Sequence, residues 1–313
     1  MVGRAQSPDV GTESRRAPAE IEWPTLVVVA AVWSAYLALL VWHHRLPAAL
    51  VVALFAVLGG WYMSVQHETL HGHPTPSPRV NTALAWVPLS LWLPFRVYRD
   101  SHLLHHEVEL TIPGLDPESF YVSADAWAAA GPLRRTALRI NRTYVGRLVV
   151  GPWLGIPATI VSGVRQARTA PSMRRTWLGH VPAAVVVGWI VFGVFDVPVW
   201  QYLIGYVWGG VSVAYIRSFA EHLPVPAPAT RCAMVRSNPV MSLLFMNVNH
   251  HYTHHTMPGV AWYRLPQWSR DLDAEAIAAA GAGNYRGYWQ IFCRYAVRPF
   301  GRPLHPEAEA TPS

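Results

Sequence analysis

The sequence predicts an all-α integral membrane protein: four transmembrane helices in two hairpins, with its histidine-rich segments gathered as a helical cap on one membrane face. Three observations carry this. Only 14% of the 313 residues are charged and 52% are hydrophobic, against roughly 25% charge in an average soluble domain. The apolar residues come in runs of about span length, set close together in pairs. The 15 histidines fall mostly in clusters at the ends of those runs.

Residues 1–22 mix Pro, Ser, Arg, Glu and Ala without apolar periodicity, so a disordered tail is expected there. It is not a secretory signal, because the apolar stretch begins late and no small-residue cleavage site follows it. The membrane domain then runs over 23–300, and 301–313 forms a flexible tail. Thr25 to Trp42 is 18 residues without a charge and Leu46 to Val65 is 20 more. Only His43, His44 and Arg45 separate them, which makes a tight helical hairpin. A second hairpin is expected from about Trp177 to Phe219, turning at Asp196 and Pro198, a pair that a mid-membrane helix would not tolerate.

Two apolar stretches fit less simply. Ala83 to Phe95 is 13 residues with Pro88 and Pro94; it is too short to span and reads as a dipping or interfacial segment. Leu148 to Val164 is 17 residues interrupted by Gly151-Pro152, Gly155 and Pro157. It is expected to lie in the interface, a broken third span being the alternative. Leu133 to Val149 reads as a basic amphipathic helix that holds anionic headgroups, with a phosphorylated acyl carrier as the second candidate.

Every one of the 25 basic residues is arginine, and they outnumber the 18 acids to give a net charge of +7. Twelve arginines lie between residues 66 and 176, while the first hairpin turn has only Arg45 and the second has none. The positive-inside rule therefore puts the middle region and both tails in the cytoplasm. No nucleic-acid partner is expected. The two cysteines, Cys232 and Cys293, form no C-x-x-C pair, which excludes a disulfide scaffold and a fused rubredoxin or iron–sulfur module.

The histidines form three boxes. His67-Glu68-Thr69-Leu70-His71-Gly72-His73 follows the second span; on a continued helix His67 and His71 share a face and reach one metal. His102-Leu103-Leu104-His105-His106 points its three imidazoles in nearly one direction. His251-Tyr252-Thr253-His254-His255 repeats that H-x-x-H-H spacing. Taken singly, each box is compatible with surface decoration or a basic interfacial cluster. Three on one membrane side are not coincidence, and eight imidazoles exceed what one metal needs. Arg217-Ser218-Phe219-Ala220-Glu221-His222 delivers His222 to the same level, though alone it would read as an interfacial residue. Imidazole suits iron, copper, nickel and zinc, so ligand type does not name the metal. Eight or nine neutral ligands would hold two ions and leave positions open for O2.

These boxes, HETLHGH, HLLHH and HYTHH, resemble those of the membrane fatty acid desaturase and hydroxylase family. The stretch Pro258-Gly259-Val260-Ala261-Trp262-Tyr263-Arg264-Leu265-Pro266 also resembles the family's P-x-x-P-W-Y-x-L-P, with Ala261 where Pro is common. The resemblance covers about residues 25–270. It implies a four-span helical fold with a cytoplasmic cap holding two irons, O2 as co-substrate, and no catalytic residues beyond the ligands. Position by position, the implied metal ligands are His67, His71, His102, His105, His106, His251, His254 and His255. His222 resembles an extra histidine at the end of the fourth span, although Ser218 stands where some desaturases have a water-binding Asn. His73 and His250 are surplus, and read as hydrogen-bond supports or interfacial residues. Trp61, Trp86, Trp92, Trp189 and Trp208 are read first as interface anchors and second as lining of a substrate tunnel.

The reaction implied is O2-dependent desaturation of a fatty acyl chain. Hydroxylation or ketolation of a fatty acid, alkane or carotenoid is the near alternative. The sequence has neither a cytochrome b5 haem motif nor a cysteine-ligated iron centre, so electrons must come from a separate donor, a ferredoxin or similar with its reductase. The likeness to small bacterial desaturase-like proteins implies the inner membrane, with termini and site cytoplasmic. A distant alternative is a membrane zinc protease, since the first box also matches H-E-x-x-H with Glu68 as base; it leaves both H-x-x-H-H boxes unused. A His-relay transporter would need ionisable residues at mid-membrane, and the spans carry none.

Overall fold

The computed structural model describes residues 20–306 together with residue 18. Most of both expected tails lies outside those residues. The described part of the C-terminal tail is packed: the His305 N–H donates to Val122 O (3.2 Å) and its ring meets Thr111 Oγ1 at 3.1 Å.

The described residues are mostly helical. Helix α1 (Trp23–Trp42) is followed by a 3-10 turn at His43–Arg45 and by α2 (Ala48–Leu70). Helices α3 (Pro78–Ala85) and α4 (Phe95–His105) come next, then α5 (Ala124–Ala128), α6 (Pro132–Ile140), α7 (Tyr144–Thr169) and α8 (Pro171–Trp189). After the turn at Asp196, α9 (Val199–Tyr202) runs through a π-helical stretch, Leu203–Gly209, into α10 (Gly210–Ser218) without a break. Short helices follow: α11 (Pro239–Leu244), α12 (His251–Thr256), α13 (Leu265–Asp271), α14 (Ala274–Ala279) and α15 (Tyr288–Tyr295). Two parallel two-residue strands, β1 (Met234–Val235) and β2 (Asn284–Tyr285), tie that region together.

Among the described residues, four helices are long and apolar enough to cross a membrane: Trp23–Arg45, Ala48–Leu70, Tyr144–Thr169 and Pro171–Val194. This set differs from the expected one. The region 148–164 was expected to lie in the interface, with a broken span as the alternative; it belongs instead to one 26-residue helix that qualifies as a span by length and composition. Pro152 does not break it because the tertiary structure answers it. Pro152 lacks the N–H that would satisfy Leu148 O, and Ser212 Oγ donates to that carbonyl at 2.7 Å. The basic helix expected over 133–149 is likewise two helices. The chain breaks after Ile140, and Thr143 Oγ1 caps the start of α7 by accepting from the Gly146 N–H.

Packing between the apolar helices is tight where side chains vanish. A Cβ on Gly59 of α2 would sit 2.6 Å from Tyr206 O and 2.9 Å from the Cα of Gly210. Glycine at that crossing lets two backbones touch, the usual device of helix pairs in lipid. Around it lies a core of Val32, Tyr36, Leu40, Val51, Phe55 and Tyr202.

The stretch after α3 has no helical ladder although it sits in apolar surroundings, so its carbonyls need donors from elsewhere. They have them. Tyr62 Oη donates to Ala85 O and Val87 O, Tyr202 Oη to Leu89 O at 2.7 Å, and His180 Nε2 to Leu91 O at 2.9 Å. Side chains of α2, α8 and α9 thus fix the segment that leads into α4. A second core, with Tyr144, Phe219, Phe245, Ile291 and Phe300, gathers the later elements at the end of α10 where the histidines lie.

Candidate metal centre

Each histidine is delivered by a short, well-fixed element. His67 projects from the last turn of α2, with His71 at its C-cap. His102 and His105 sit in the last turn of α4, with His106 capping it. His222 follows α10, and His251, His254 and His255 lie on α12. The nine rings converge. His67, His71, His102 and His254 form one group, and His105, His222, His251 and His255 a second; within each, one ring nitrogen per residue lies within 4.8 Å of all the others. His106 sits between the groups. Its Nε2 is 3.1 Å from both His102 Nε2 and His254 Nε2, and its ring stacks on His255 at 4.1 Å.

Two carboxylates hydrogen-bond this set and a third lies beside it. Asp116 Oδ1 lies 2.8 Å from His105 Nδ1, and Glu118 Oε1 lies 2.8 Å from His102 Nδ1. Glu221 Oε1 is 3.3 Å from His251 Nδ1 and accepts from Arg217 at 2.7 Å. A carboxylate at Nδ1 accepts the Nδ1–H hydrogen bond and so leaves a lone pair on Nε2, the usual arrangement behind a metal-bound histidine. Those Nε2 atoms then face one another: His105 to His222 at 3.1 Å and His251 to His222 at 2.9 Å. Lone pairs at that range repel unless a cation lies between them. Two nitrogens about 2.1 Å from one ion and at right angles would be about 3 Å apart, so the spacing fits a shared metal. Unpartnered buried nitrogens on His67, His71 and His255 fit it as well.

Charge follows the same logic. Burial, and then the neighbouring rings, hold His71, His251, His254 and His255 well below the usual imidazole range, so they stay neutral and able to ligate. Burial opposes charge on Glu118 too, but His102 and His105 outweigh it and keep the carboxylate ionised. Burial lifts Glu221 to about 7 despite Arg217.

The surplus histidines lie outside these groups. His250 Nδ1 meets Ser269 Oγ at 2.7 Å, and His73 Nδ1 meets the Glu22 carboxylate at 2.9 Å. Glu68 belongs to that second contact set: it lies with Glu22 and His73 and accepts from the Trp262 N–H at 3.0 Å. It ties α2 to the chain after the third box, and its charge is spent there rather than on a water as a protease base would require.

Asp116, Glu118 and Glu221 are the site residues that sequence reasoning missed. Glu221 stood beside His222. Asp116-Pro117-Glu118 is an acid pair shortly after the second box, and that proximity was the available signal. Burial pushes the Cys232 thiol far up, and its Sγ lies 3.6 Å from His222 Nδ1, so it lines the site as a neutral thiol.

Two of the larger cavities touch the clustered histidines. One of about 380 Å3 is lined by Glu118, Glu221, Arg217 and His222 together with Leu93, Leu154, Ala158 and Val211. Trp92 lines it, whereas Trp86 and Trp189 are largely exposed. A second cavity of about 300 Å3 reaches His106 and His255 beside Tyr252 and Cys232.

A comparison with protein families finds that residues 40–289 match Fatty acid desaturase. The chain belongs to that family. The match spans all nine clustered histidines and most of the apolar helices, so the protein is a membrane oxidoreductase of the desaturase type with histidine groups suited to metal. No curated protein matches this chain.

Proposed function

We propose that this desaturase is an O2-dependent di-iron enzyme that introduces a double bond into a fatty acyl chain. The observation that carries the reading is the pair of four-histidine groups with His106 between them, beside a cavity lined in large part by apolar side chains. His67, His71, His102 and His254 would hold one iron and His105, His222, His251 and His255 the other, with His106 able to serve either. The irons would supply O2 activation and hydrogen abstraction from an unactivated methylene. The balance is one –CH2–CH2– unit, one O2, two electrons and two protons giving –CH=CH– and two waters.

The chain's own residues do the positioning. Asp116 and Glu118 keep the protons of His105 and His102 on Nδ1, and the Arg217–Glu221 pair fixes His251. Leu93, Leu154, Ala158 and Val211 exclude water from the space where the methylene is held. A cavity of about 380 Å3 is of the size used for small ligands and cofactors. The two electrons come from a separate donor, a ferredoxin or similar with its reductase, drawn to the arginine-rich face. That face and the histidine end lie in the cytoplasm in this reading, at the bacterial inner membrane.

Lipid and metabolite profiling of cells expressing the wild type against a His102→Ala variant tests it. A new double bond that vanishes in the variant is the expected result. A new hydroxyl or keto product, or an unchanged profile, would overturn desaturation.

A further inference from the structure

A third cavity, of about 210 Å3, lies away from the nine clustered histidines, between the start of α8 and the segment leading into α4, with His180 in its lining. Trp86, Phe95 and Ala183 give it an apolar wall, and Arg96 and Arg175 supply its charge. No acidic residue lines it, and neither α4 nor α8 carries an acid in its first turn. Asp100 is the nearest neutralising group: it meets Arg96 at 3.5 Å with both side chains about half exposed, and lies closer to Arg99 at 2.8 Å. Two guanidiniums therefore face one small space with little to offset them.

The place of this cavity along the helix matters. Pro171–Val194 is a candidate span whose first six residues, Pro-Ser-Met-Arg-Arg-Thr, are mostly polar and precede the apolar run. Arg175 thus stands where the helix leaves the hydrocarbon layer, the level at which headgroup phosphates lie and tryptophan is enriched. Cations at the polar level above an apolar wall match the two halves of a phospholipid.

We propose that this cavity seats an anionic phospholipid, its phosphate between Arg96 and Arg175 and its first methylenes against Trp86 and Ala183. The proposal does not depend on the reaction catalysed. It has a structural consequence, because Arg96 lies in the first turn of α4 and His102 about 9 Å further along the same helix. A headgroup held there braces the helix that carries the second box.

The test uses full-length protein purified in zwitterionic detergent, titrated with phosphatidylglycerol or phosphatidylcholine and read by native mass spectrometry and thermal melting. Wild type is expected to retain one phosphatidylglycerol in preference to phosphatidylcholine. At about fivefold per arginine, the Arg96→Gln/Arg175→Gln double variant should bind it roughly 30-fold more weakly. Ala183→Phe, which fills the cavity and leaves both arginines in place, should also lose it. An Arg270→Gln/Arg294→Gln control removes equal charge elsewhere and should bind as wild type. Equal weakening in that control would make the attraction diffuse and overturn the site. So would undiminished binding in either cavity variant, or a melting shift from inorganic phosphate as large as that from the lipid.

Discussion

Histidines meet at both ends of the α1–α2 pair, with different results. At the turn between the helices, His43 and His44 rings lie 5.7 Å apart, and His43 Nδ1 meets Leu40 O at 2.9 Å, a bond within its own helix end. At the far end of α2, His67 lies 4.5 Å from His102 and 4.6 Å from His254. Ring proximity alone therefore does not separate the two. What separates them is that the second set draws on chain segments nearly two hundred residues apart, has carboxylates at Nδ1, and leaves Nε2 atoms facing each other. A pair of imidazoles that satisfies itself locally is structure. A set whose nitrogens only a cation reconciles is a site.

The sharpest way to break that contrast is His102→Ala, which should abolish product and reduce bound iron, measured by product profiling and metal analysis of purified protein. Normal turnover would collapse the distinction. Asp116→Asn comes next. It keeps the volume but offers His105 a weaker acceptor, so a 10- to 100-fold loss in metal affinity or activity is expected, read by chelator competition. Stripping the metal with a chelator should lower the melting temperature by about 5–10 °C, because the facing lone pairs lose the ion that reconciles them. A melting curve indifferent to chelation would argue that protons, not metal, hold the cluster. His43→Ala should be the mildest. It loses one hydrogen bond of about 1 kcal/mol, roughly 2–4 °C, and leaves product formation unaltered.

Much of the histidine end was legible because helical spacing is local information. H-x-x-x-H and H-x-x-H-H put rings on one face whatever the rest of the chain does. The carboxylates were harder. Asp116 and Glu118 meet rings 11 and 16 residues earlier through a loop, and no periodicity encodes a loop's path. The spans were legible where apolar runs were uninterrupted. The continuity of the helix at 148–164 was not legible, because Pro152 argued for a break that Ser212, sixty residues later, makes unnecessary. The polar donors of Tyr62, Tyr202 and His180 were equally hidden, since each is an ordinary residue within an apolar helix until its acceptor is known.

Those donors carry a consequence for how the chain can change. Connecting segments usually accept extra residues, because they run through water and their backbone groups find partners anywhere. The stretch between α3 and α4 is held carbonyl by carbonyl, at Ala85, Val87, Leu89 and Leu91, by side chains of three different helices. One inserted residue would put each acceptor out of step with its donor and turn α4 by about 100°, carrying His102 and His105 away from their partners. Length variation can collect in other loops of this molecule; here the ruler between the first and second boxes is fixed.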